Sequence, residues 1–321
     1  MDQISVVIPT QARLPVLART LERLAEQETG DLAVEVVVVC SGSSDAYRDE
    51  VRALIADLPL ASKVLARAEG GAAGARNAGV GAAGSELILF LNDDTPPLST
   101  DLVRAHAEAH RGQPDELRGV LGRVVWDPEV ETTPVMDWLT RTGKMNDYSF
   151  LESEADQRPT LYAPNLSLRR SALVRVGGFD ERFWRYGWAE YDLALRLFDQ
   201  GFRITLAPEL VVGHNHRYTL RDSVRRMESV GRGANLLNRV HAARDDLATP
   251  APAGAKARVG RALAPAAARA PVPGWLPLRV QDSAFRTLHY ATLARGYARE
   301  PIPEGAGPEG GIPGRAELIS E

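Results

Sequence analysis

Two adjacent carboxylates end a run of apolar residues in the first third of the chain. The segment 85–97 reads SELILFLNDDTPP, and its apolar run stops at Asn92, Asp93 and Asp94. Such a run is typical of a strand buried on both faces of a parallel sheet, and ligands bind beyond the carboxyl ends of these strands. Because a shared cation relieves the repulsion between neighbouring carboxylates, the pattern predicts a divalent-cation site. An Asx turn that caps the next helix is the structural alternative.

A second acidic segment, AEYDLALRLFDQ, begins at Ala189 and has the spacing of an amphipathic helix. Glu190 lies on the same helix face as the apolar residues three, four and seven positions later, so it is a candidate general base. Asp192 is followed by Arg196 at the spacing of a helical ion pair. The sequence leaves open which carboxylate is the base, although it favours Glu190.

Alternating strands and helices surround the first of these segments. Apolar runs predict strands at 4–8, 32–40, 63–65 and 87–91. Helices are predicted at 14–24, from the turn after the second strand to about residue 56, and in the glycine-rich stretch from Gly70 to Gly79. This alternation predicts a parallel sheet with right-handed crossovers, in which the first ninety residues form a nucleotide-binding half.

The second half of the chain is less regular. Its predicted strands are 120–126, 165–169, 202–206 and 210–212, and its predicted helices are 99–111, a short one capped by Ser171, 189–200, 220–243 and 284–298. The polar stretch 127–158 is interpreted as an irregular acceptor-side loop or, alternatively, a disordered insertion. His106 and His110 have the spacing of two zinc ligands, but the sequence offers no third ligand nearby.

Composition is that of a soluble globular protein. The 321 residues are 44% hydrophobic and 25% charged, which predicts one large α/β domain with a tail. No stretch reaches the roughly 18 apolar residues that span a bilayer, and the first residues lack the pattern of a secretory signal. Cys40 is the only cysteine, which agrees with a reducing compartment. We therefore expect a cytoplasmic protein.

The net charge of −4 is unevenly distributed. Residues 256–299 contain eight Lys and Arg and one acid, Asp282, which gives +7 and leaves −11 for the remainder. With Trp275, Leu276 and Leu278 among the arginines, this segment predicts peripheral contact with an anionic inner membrane face; a solvated tail is the alternative. The proline- and glycine-rich stretch 301–314 is expected to be disordered.

Six short motifs occur in order between residues 3 and 217: SVVIPT, GARNAG, FLNDD, GGFDE, WAEYDLALRL and GHNH. In this order and spacing the chain resembles the family 2 glycosyltransferases. The resemblance implies an α/β fold, the Rossmann-like nucleotide-diphospho-sugar transferase (A-type) fold, with a mostly parallel central sheet flanked by helices and a C-terminal helical extension. The implied organisation is a catalytic domain at 1–217, with a nucleotide-binding half at 1–97 and an acceptor half at 98–217, then a helix at 218–246, a basic extension at 247–300 and a disordered tail at 301–321.

The resemblance also implies an activity. It is the inverting transfer of a hexosyl or deoxyhexosyl group from a nucleotide-diphospho-sugar donor to a glycan, lipid-linked or small-molecule acceptor, in polysaccharide, cell-envelope glycan or glycoconjugate synthesis, with no nucleic-acid partner. Its cofactor would be a divalent cation, Mn²⁺ or Mg²⁺. By resemblance, the cation would be held by Asp94 and His214, with His216 as the alternative histidine. The resemblance also implies that Arg76, Asn77 and Asp93 bind the donor and that Glu190 takes the acceptor proton. Thr10 and Ser41, at the ends of the first and second strands, are candidate contacts to the nucleobase by their position.

The chain departs from the family pattern at two places. Cys40 and Ser41 stand where relatives commonly end the second strand with an acidic residue that reads the nucleobase, and Ala189 replaces the first of an acidic pair. These departures motivate the alternative of a catalytically degenerate nucleotide-binding protein of the same fold. A dinucleotide-dependent oxidoreductase is disfavoured because IPTQARLP follows the first strand instead of G-x-G-x-x-G.

Overall fold

The structure is a computed structural model that describes residues 2–68, 71–111, 116–153, 157–184, 187–242, 244 and 277–298. The predictions for most of the basic extension, including Trp275 and Leu276, and for the tail at 301–321 fall outside these residues.

A seven-stranded sheet forms the centre of the protein, in the order β3-β2-β1-β4-β6-β5-β7. All pairings are parallel except those of β6 with β4 and β5. The predicted mostly parallel α/β sheet is therefore confirmed. The strands are β1 Gln3–Thr10, β2 Ala33–Ser41, β3 Ala61–Arg67, β4 Leu87–Leu91, β5 Arg118–Trp126, β6 Asn165–Arg169 and β7 Arg203–His214.

Nine helices in the described residues accompany the sheet, and three apolar clusters lie against them. One of these helices, α3, packs directly on the strands because its glycines and alanines allow close approach: a Cβ atom at Gly79 would collide with Val7. The helices are α1 Leu14–Ala25, α2 Asp45–Ala56, α3 Gly71–Ala82, α4 Leu102–Arg111, α5 Pro134–Arg141, α6 Arg170–Arg175, α7 Ala189–Phe198, α8 Leu220–Val240 and α9 Leu278–Ala298.

The prediction of an irregular loop at 127–158 is wrong over part of its length. Helix α5 occupies Pro134–Arg141, and a 3-10 turn follows at Ser149–Leu151. The helix begins because the Thr133 hydroxyl accepts a hydrogen bond from the backbone N–H of Met136 at 3.3 Å and Pro134 occupies the first turn. Its apolar face packs on α9 through Trp138 and Phe285.

Two further local predictions are corrected. The strands predicted at 202–206 and 210–212 are one strand, β7, whose register against β5 shifts between Leu121 and Arg123. Pro208 is tolerated because β7 is an edge strand with an irregularity there. Ser171 does not cap α6, because this helix already begins at Arg170. The backbone N–H of Ser171 instead donates to the carboxylate of Glu86 at 3.0 Å.

The two C-terminal helices pack closely on each other. A Cβ atom at Gly231 of α8 would collide with the Leu293 carbonyl, and one at Gly296 of α9 with the Glu228 carbonyl. Helix α9 is also longer than the predicted 284–298. Within the described residues, none of the helices is both long and apolar enough to span a bilayer.

Candidate active site

The strand ends of β1 and β4 lie side by side, and the chain order reverses there. Strands β2 and β3 lie on one side of β1 and β4 on the other, so this is the topological switch point at which α/β folds bind ligands. Thr10 ends β1 and donates its hydroxyl proton to Asp93 Oδ2 at 2.9 Å. The Thr10 oxygen lies 2.7 Å from the Tyr47 hydroxyl of α2. Thr10 and Asp93, both predicted to bind the nucleotide-sugar donor, are thus in direct contact.

Arg13, in the loop after β1, bridges both carboxylates. Its Nη1 donates to Asp94 Oδ2 at 2.7 Å and its Nε to Asp93 Oδ2 at 3.2 Å, while Nη2 contacts Asp93 Oδ1. The carboxylates are almost fully buried, whereas the Arg13 side chain is 43% exposed. Arg13 therefore supplies the charge that two adjacent buried anions require.

His214 reaches Asp94 because the segment after β4 pairs with β7. Pro97 forms an antiparallel bridge with Val212, and the Asn215 N–H donates to the Asp94 carbonyl at 2.7 Å. These contacts leave His214 Nε2 3.4 Å from Asp94 Oδ2. The imidazole is held from the side by the Trp126 ring, whose centroid lies 5.2 Å away. The two predicted metal ligands are therefore neighbours.

The two carboxylates differ in their affinity for protons. Burial, and then repulsion by Asp94, raises the pKa of Asp93 to about 6, although Arg13 acts against this rise. Burial would also raise the pKa of Asp94, but contact with His214 and Arg13 lowers it well below its usual range. Asp94 thus stays anionic at neutral pH and well below it, as a cation ligand must, whereas Asp93 takes up a proton as the pH falls through about 6.

The donor set at Asp94 fits a divalent cation in part. Asp94 Oδ1 is buried and lacks a hydrogen-bond partner among the described residues, so one carboxylate oxygen is available. Oxygen and imidazole ligands suit Mn²⁺, and Mg²⁺ is commonly bound by one or two carboxylates together with substrate phosphates. Within the described ranges, no three His, Cys, Asp or Glu side chains are grouped as a metal site. Asp94 and His214 would thus bind a cation only together with other ligands.

Glu190 lies in the first turn of α7 and contacts the buried Arg76. Arg76 Nη1 donates to Glu190 Oε1 at 3.2 Å, and Nη2 donates to Asn92 Oδ1 at 2.9 Å. The Arg76 side chain is 4% exposed and the Glu190 side chain 27% exposed. One guanidinium therefore connects the candidate base to the residue that precedes the two aspartates. The helix begins after Trp188, whose φ of 73° is in the left-handed region, a strained conformation for a large side chain.

The other two residues predicted to bind the nucleotide-sugar donor, Asn77 and Ser41, do not contact the two carboxylates. Asn77 donates both amide hydrogens inside the protein, to the Phe179 carbonyl at 2.8 Å and to Glu181 Oε1 at 3.1 Å. Its Oδ1 accepts from the Phe179 N–H at 2.8 Å, so Asn77 fixes the GGFDE turn. Ser41 lies at the end of β2, one residue beyond Cys40, which pairs with Thr10. It lies at the same sheet edge as the carboxylates.

Asp192 makes contacts inside the protein through both of its carboxylate oxygens. It is buried, its Oδ2 accepts from Arg196 Nη2 at 2.6 Å, and its Oδ1 lies 2.8 Å from His241 Nε2. Both oxygens are thus engaged, which agrees with the predicted ion pair and favours Glu190 as the base. The histidine pair of α4 also makes contacts inside the protein: His106 and His110 both contact the Ser167 hydroxyl, at 2.8 and 2.9 Å.

Sequence reasoning missed Arg13 and Tyr47. Tyr47 is the third residue after the Ser44 cap of α2 and shares its hydroxyl with Thr10 and the Arg13 N–H, at 2.7 and 3.3 Å. The available signal was position: Arg13 is the first cationic residue after β1, in a loop at the sheet edge where the acidic residues lie.

Comparisons with known proteins identify the family and the fold of the chain. A sequence profile described as glycosyl transferase family 2 matches residues 5–174, and one described as the N-terminal domain of galactosyltransferase matches residues 156–220. The validoxylamine A glucosyltransferase of Streptomyces hygroscopicus subsp. jinggangensis is 33% identical over 231 residues, covering 64% of this chain and 54% of that protein. A pre-mycofactocin glycosyltransferase of Mycobacterium tuberculosis is 28% identical over 246 residues, covering 72% and 46%. The chain thus spans about half the length of these relatives.

Solved structures share the fold. The mannosyltransferase PcManGT from Pyrobaculum calidifontis, in complex with GDP-Man and Mn²⁺, superposes with a TM-score of 0.61 at 21% identity, covering 92% of this chain and 88% of that one. Staphylococcus aureus TarS 1–349, in complex with UDP, gives a TM-score of 0.53 at 17% identity, covering 92% and 91%. At these identities the likeness concerns the fold alone.

Proposed function

The chain belongs to glycosyl transferase family 2, and from this membership we propose that it transfers a sugar, with inversion, from a nucleotide-diphospho-sugar to an acceptor hydroxyl. The observation that carries the proposal is the connection from Glu190 through Arg76 and Asn92 to the carboxylate pair. It joins a proton acceptor to a cation site at the edge of the sheet where ligands bind. A general base assists attack by the acceptor hydroxyl, and a cation assists departure of the diphosphate.

Each residue has a distinct part in the proposed reaction. Glu190 removes the proton of the acceptor hydroxyl, and Arg76 holds its carboxylate in place. Asp93 binds the ribose or the sugar of the donor, and Thr10 and Ser41 contact the nucleobase. Asp94 and His214 would bind Mn²⁺ or Mg²⁺, which neutralises charge on the departing diphosphate when it is bound.

Donor and acceptor are proposed only by class. The matched solved proteins were crystallised with GDP-Man and Mn²⁺ or with UDP, which supports a nucleotide-diphosphate donor and a divalent cation. The matched relatives are named for validoxylamine A and for pre-mycofactocin, which supports a small-molecule acceptor over a glycan or lipid-linked one. Membrane contact through the basic extension stays a prediction, and binding of the full chain to anionic vesicles would test it.

The experiment that tests the proposal measures thermal stabilisation by UDP, GDP, dTDP and CDP, each with and without Mn²⁺. A ligand that binds only the folded state raises the melting temperature. We expect one nucleotide to stabilise the protein, to need Mn²⁺, and to lose its effect in Asp94→Ala. An unchanged melting temperature with all four nucleotides contradicts the proposal. Stabilisation without turnover of any nucleotide sugar supports the degenerate binding protein instead.

A further inference from the structure

The backbone turn after β1 aims Arg13 back over the carboxylate pair. Ala12 adopts a φ of 51°, in the left-handed region that a residue with a Cβ rarely occupies. The turn is fixed on its other side by the hydrogen bond from the Arg13 N–H to the Tyr47 hydroxyl. The Arg13 backbone is therefore held firmly, and its placement next to Asp93 and Asp94 is a built feature of the loop.

Arg13 occupies part of the coordination space that a divalent cation would need. Its Nη1 lies 2.7 Å from Asp94 Oδ2, the same oxygen that faces His214 Nε2 at 3.4 Å. A cation held jointly by Asp94 and His214 would take as a ligand this oxygen or Oδ1 of the same carboxylate, which is unpaired among the described residues, and in either case it would lie close to the guanidinium. Because two cationic groups so close together repel each other strongly in a buried site, they compete for the carboxylate.

The Arg13 side chain can move away from Asp93 and Asp94 without breaking other side-chain contacts of the described residues. It is 43% exposed, and its contacts within the described residues are with the two carboxylates. Arg76 is a useful contrast, because it is 4% exposed and is held by Glu190 and Asn92 at the same time. A guanidinium also matches the geometry of phosphate oxygens, which it binds with two parallel hydrogen bonds.

We propose that Arg13 is the resident counter-ion of Asp93 and Asp94, that a divalent cation displaces it from Asp94, and that it then pairs with the donor's diphosphate. The inference rests on the proposed function. Its consequence is that cation binding depends on the nucleotide: the free protein binds Mn²⁺ weakly, because Arg13 holds the carboxylate. When a nucleoside diphosphate is present, it gives the displaced guanidinium a new anionic partner.

The test measures Mn²⁺ binding directly, by the paramagnetic resonance signal of free Mn²⁺, in the absence of nucleotide. We expect Arg13→Gln to bind Mn²⁺ about tenfold or more tightly than the natural protein, since it loses a charge-assisted hydrogen bond that competes with the cation. Arg19→Gln is the matched control. Arg19 lies on α1 and pairs with Glu129 and Glu22, so this substitution removes a positive charge without changing the contacts of Asp93 and Asp94. We expect its Mn²⁺ affinity to stay within about twofold of the natural value.

A second measurement uses the stabilising nucleoside diphosphate of the four above, at saturating Mn²⁺. Arg13→Gln should bind it about tenfold more weakly, because the phosphate partner is missing. Arg13→Lys keeps a charge but not the planar fork, so we expect intermediate values in both measurements. This variant also serves if Arg13→Gln does not fold.

Three results would overturn the inference, and they differ in what they mean for the proposed function. Unchanged or weaker Mn²⁺ binding in both Arg13 variants, with normal metal-dependent nucleotide binding in the natural protein, overturns the role of Arg13 and leaves the proposed function intact. Absence of Mn²⁺ binding in all proteins, with or without nucleotide, overturns the cation site and the inference with it. An equal gain in Arg19→Gln would assign the effect to net charge and also overturn the inference.

Discussion

Arg76 Nη1 lies 3.2 Å from Glu190 Oε1, so the candidate base is paired with a buried cation from a different part of the chain. Arg76 comes from the small-residue helix α3 and Glu190 from the first turn of α7. The same guanidinium lies 5.4 Å from the centroid of the Phe179 ring, which covers one of its faces. The arrangement fixes Arg76 and leaves the more exposed Glu190 with one face toward solvent.

Replacing Glu190 by Gln should reduce sugar transfer by about 10² to 10⁴, the usual contribution of a general base. Nucleotide binding should be retained, because the amide keeps the shape of the side chain. Initial transfer rates and nucleotide-induced melting shifts measure the two effects. Asp199→Asn, at the exposed far end of the same helix, should leave both unchanged. Transfer by Glu190→Gln at the normal rate would show that another group takes the proton.

Replacing Arg76 by Met should lower both stability and activity. The change removes the partner of Glu190 and the hydrogen bond to Asn92. Breaking a fully buried pair costs about 3 to 5 kcal/mol, and because Glu190 is partly exposed we expect about 2 kcal/mol, measured by urea unfolding. Arg104→Met, which removes an exposed helical pair with Glu108, should leave the free energy of unfolding almost unchanged. Equal losses in the two variants would contradict the structural role of Arg76.

The two histidines after β7 should respond differently to substitution. His214 Nε2 faces Asp94, whereas His216 Nε2 lies 3.8 Å from Asp222. His214→Phe keeps a ring against Trp126 and removes the nitrogen, so we expect the Mn²⁺-dependent part of nucleotide stabilisation to weaken by about tenfold or more in affinity. His216→Phe should retain it. The reverse result would move the cation site by two residues along the chain.

Acid should destabilise the protein through its buried histidines. Burial lowers the pKa values of His106, His110 and His289 to about 4, whereas an unfolded histidine titrates near 6.5. Between these values the unfolded chain binds more protons, so the free energy of unfolding falls as pH falls from about 6.5 toward 4, and it is fully retained above 6.5. Each histidine contributes up to about 1.4 kcal/mol per pH unit.

Urea unfolding at several pH values measures the slope of the free energy of unfolding against pH. His110→Gln should reduce this slope by up to about 1.4 kcal/mol per pH unit, the contribution of one proton. The raised pKa of Asp93, about 6 and caused first by burial, acts in the opposite direction. The difference between the natural protein and His110→Gln cancels that contribution. An unchanged slope in the variant would show that His110 is already protonated in the folded protein.

The strand ends were predictable because their signal is local. The run from Leu87 to Leu91 stops at Asn92, and a buried strand that stops at carboxylates indicates both an element and a site. The pairing of Asp94 with His214 was not predictable from spacing, since it depends on the bridge between Pro97 and Val212. It was accessible only through the resemblance to a family.

Two errors have specific physical causes. Helix α5 was missed although Thr133 and Pro134 form a helix start, because the polar residues around it obscured its short apolar face. The split of β7 came from Pro208, which on an edge strand with a register shift does not end the strand. Arg13 was missed for a third reason: nothing in its neighbours' spacing reveals that the turn at Ala12 folds it back over the aspartates.

The bridge between the segment after β4 and the end of β7 also bears on how the protein matures. Asp94 belongs to a part of the sheet that local βαβ contacts can assemble early, but His214 arrives only when the last strand docks. In a chain emerging from the ribosome, the proposed cation site would therefore be incomplete until the whole sheet has been synthesised. Acquisition of metal affinity would thus be a late and direct report that the long-range pairing of β5 and β7 is in register.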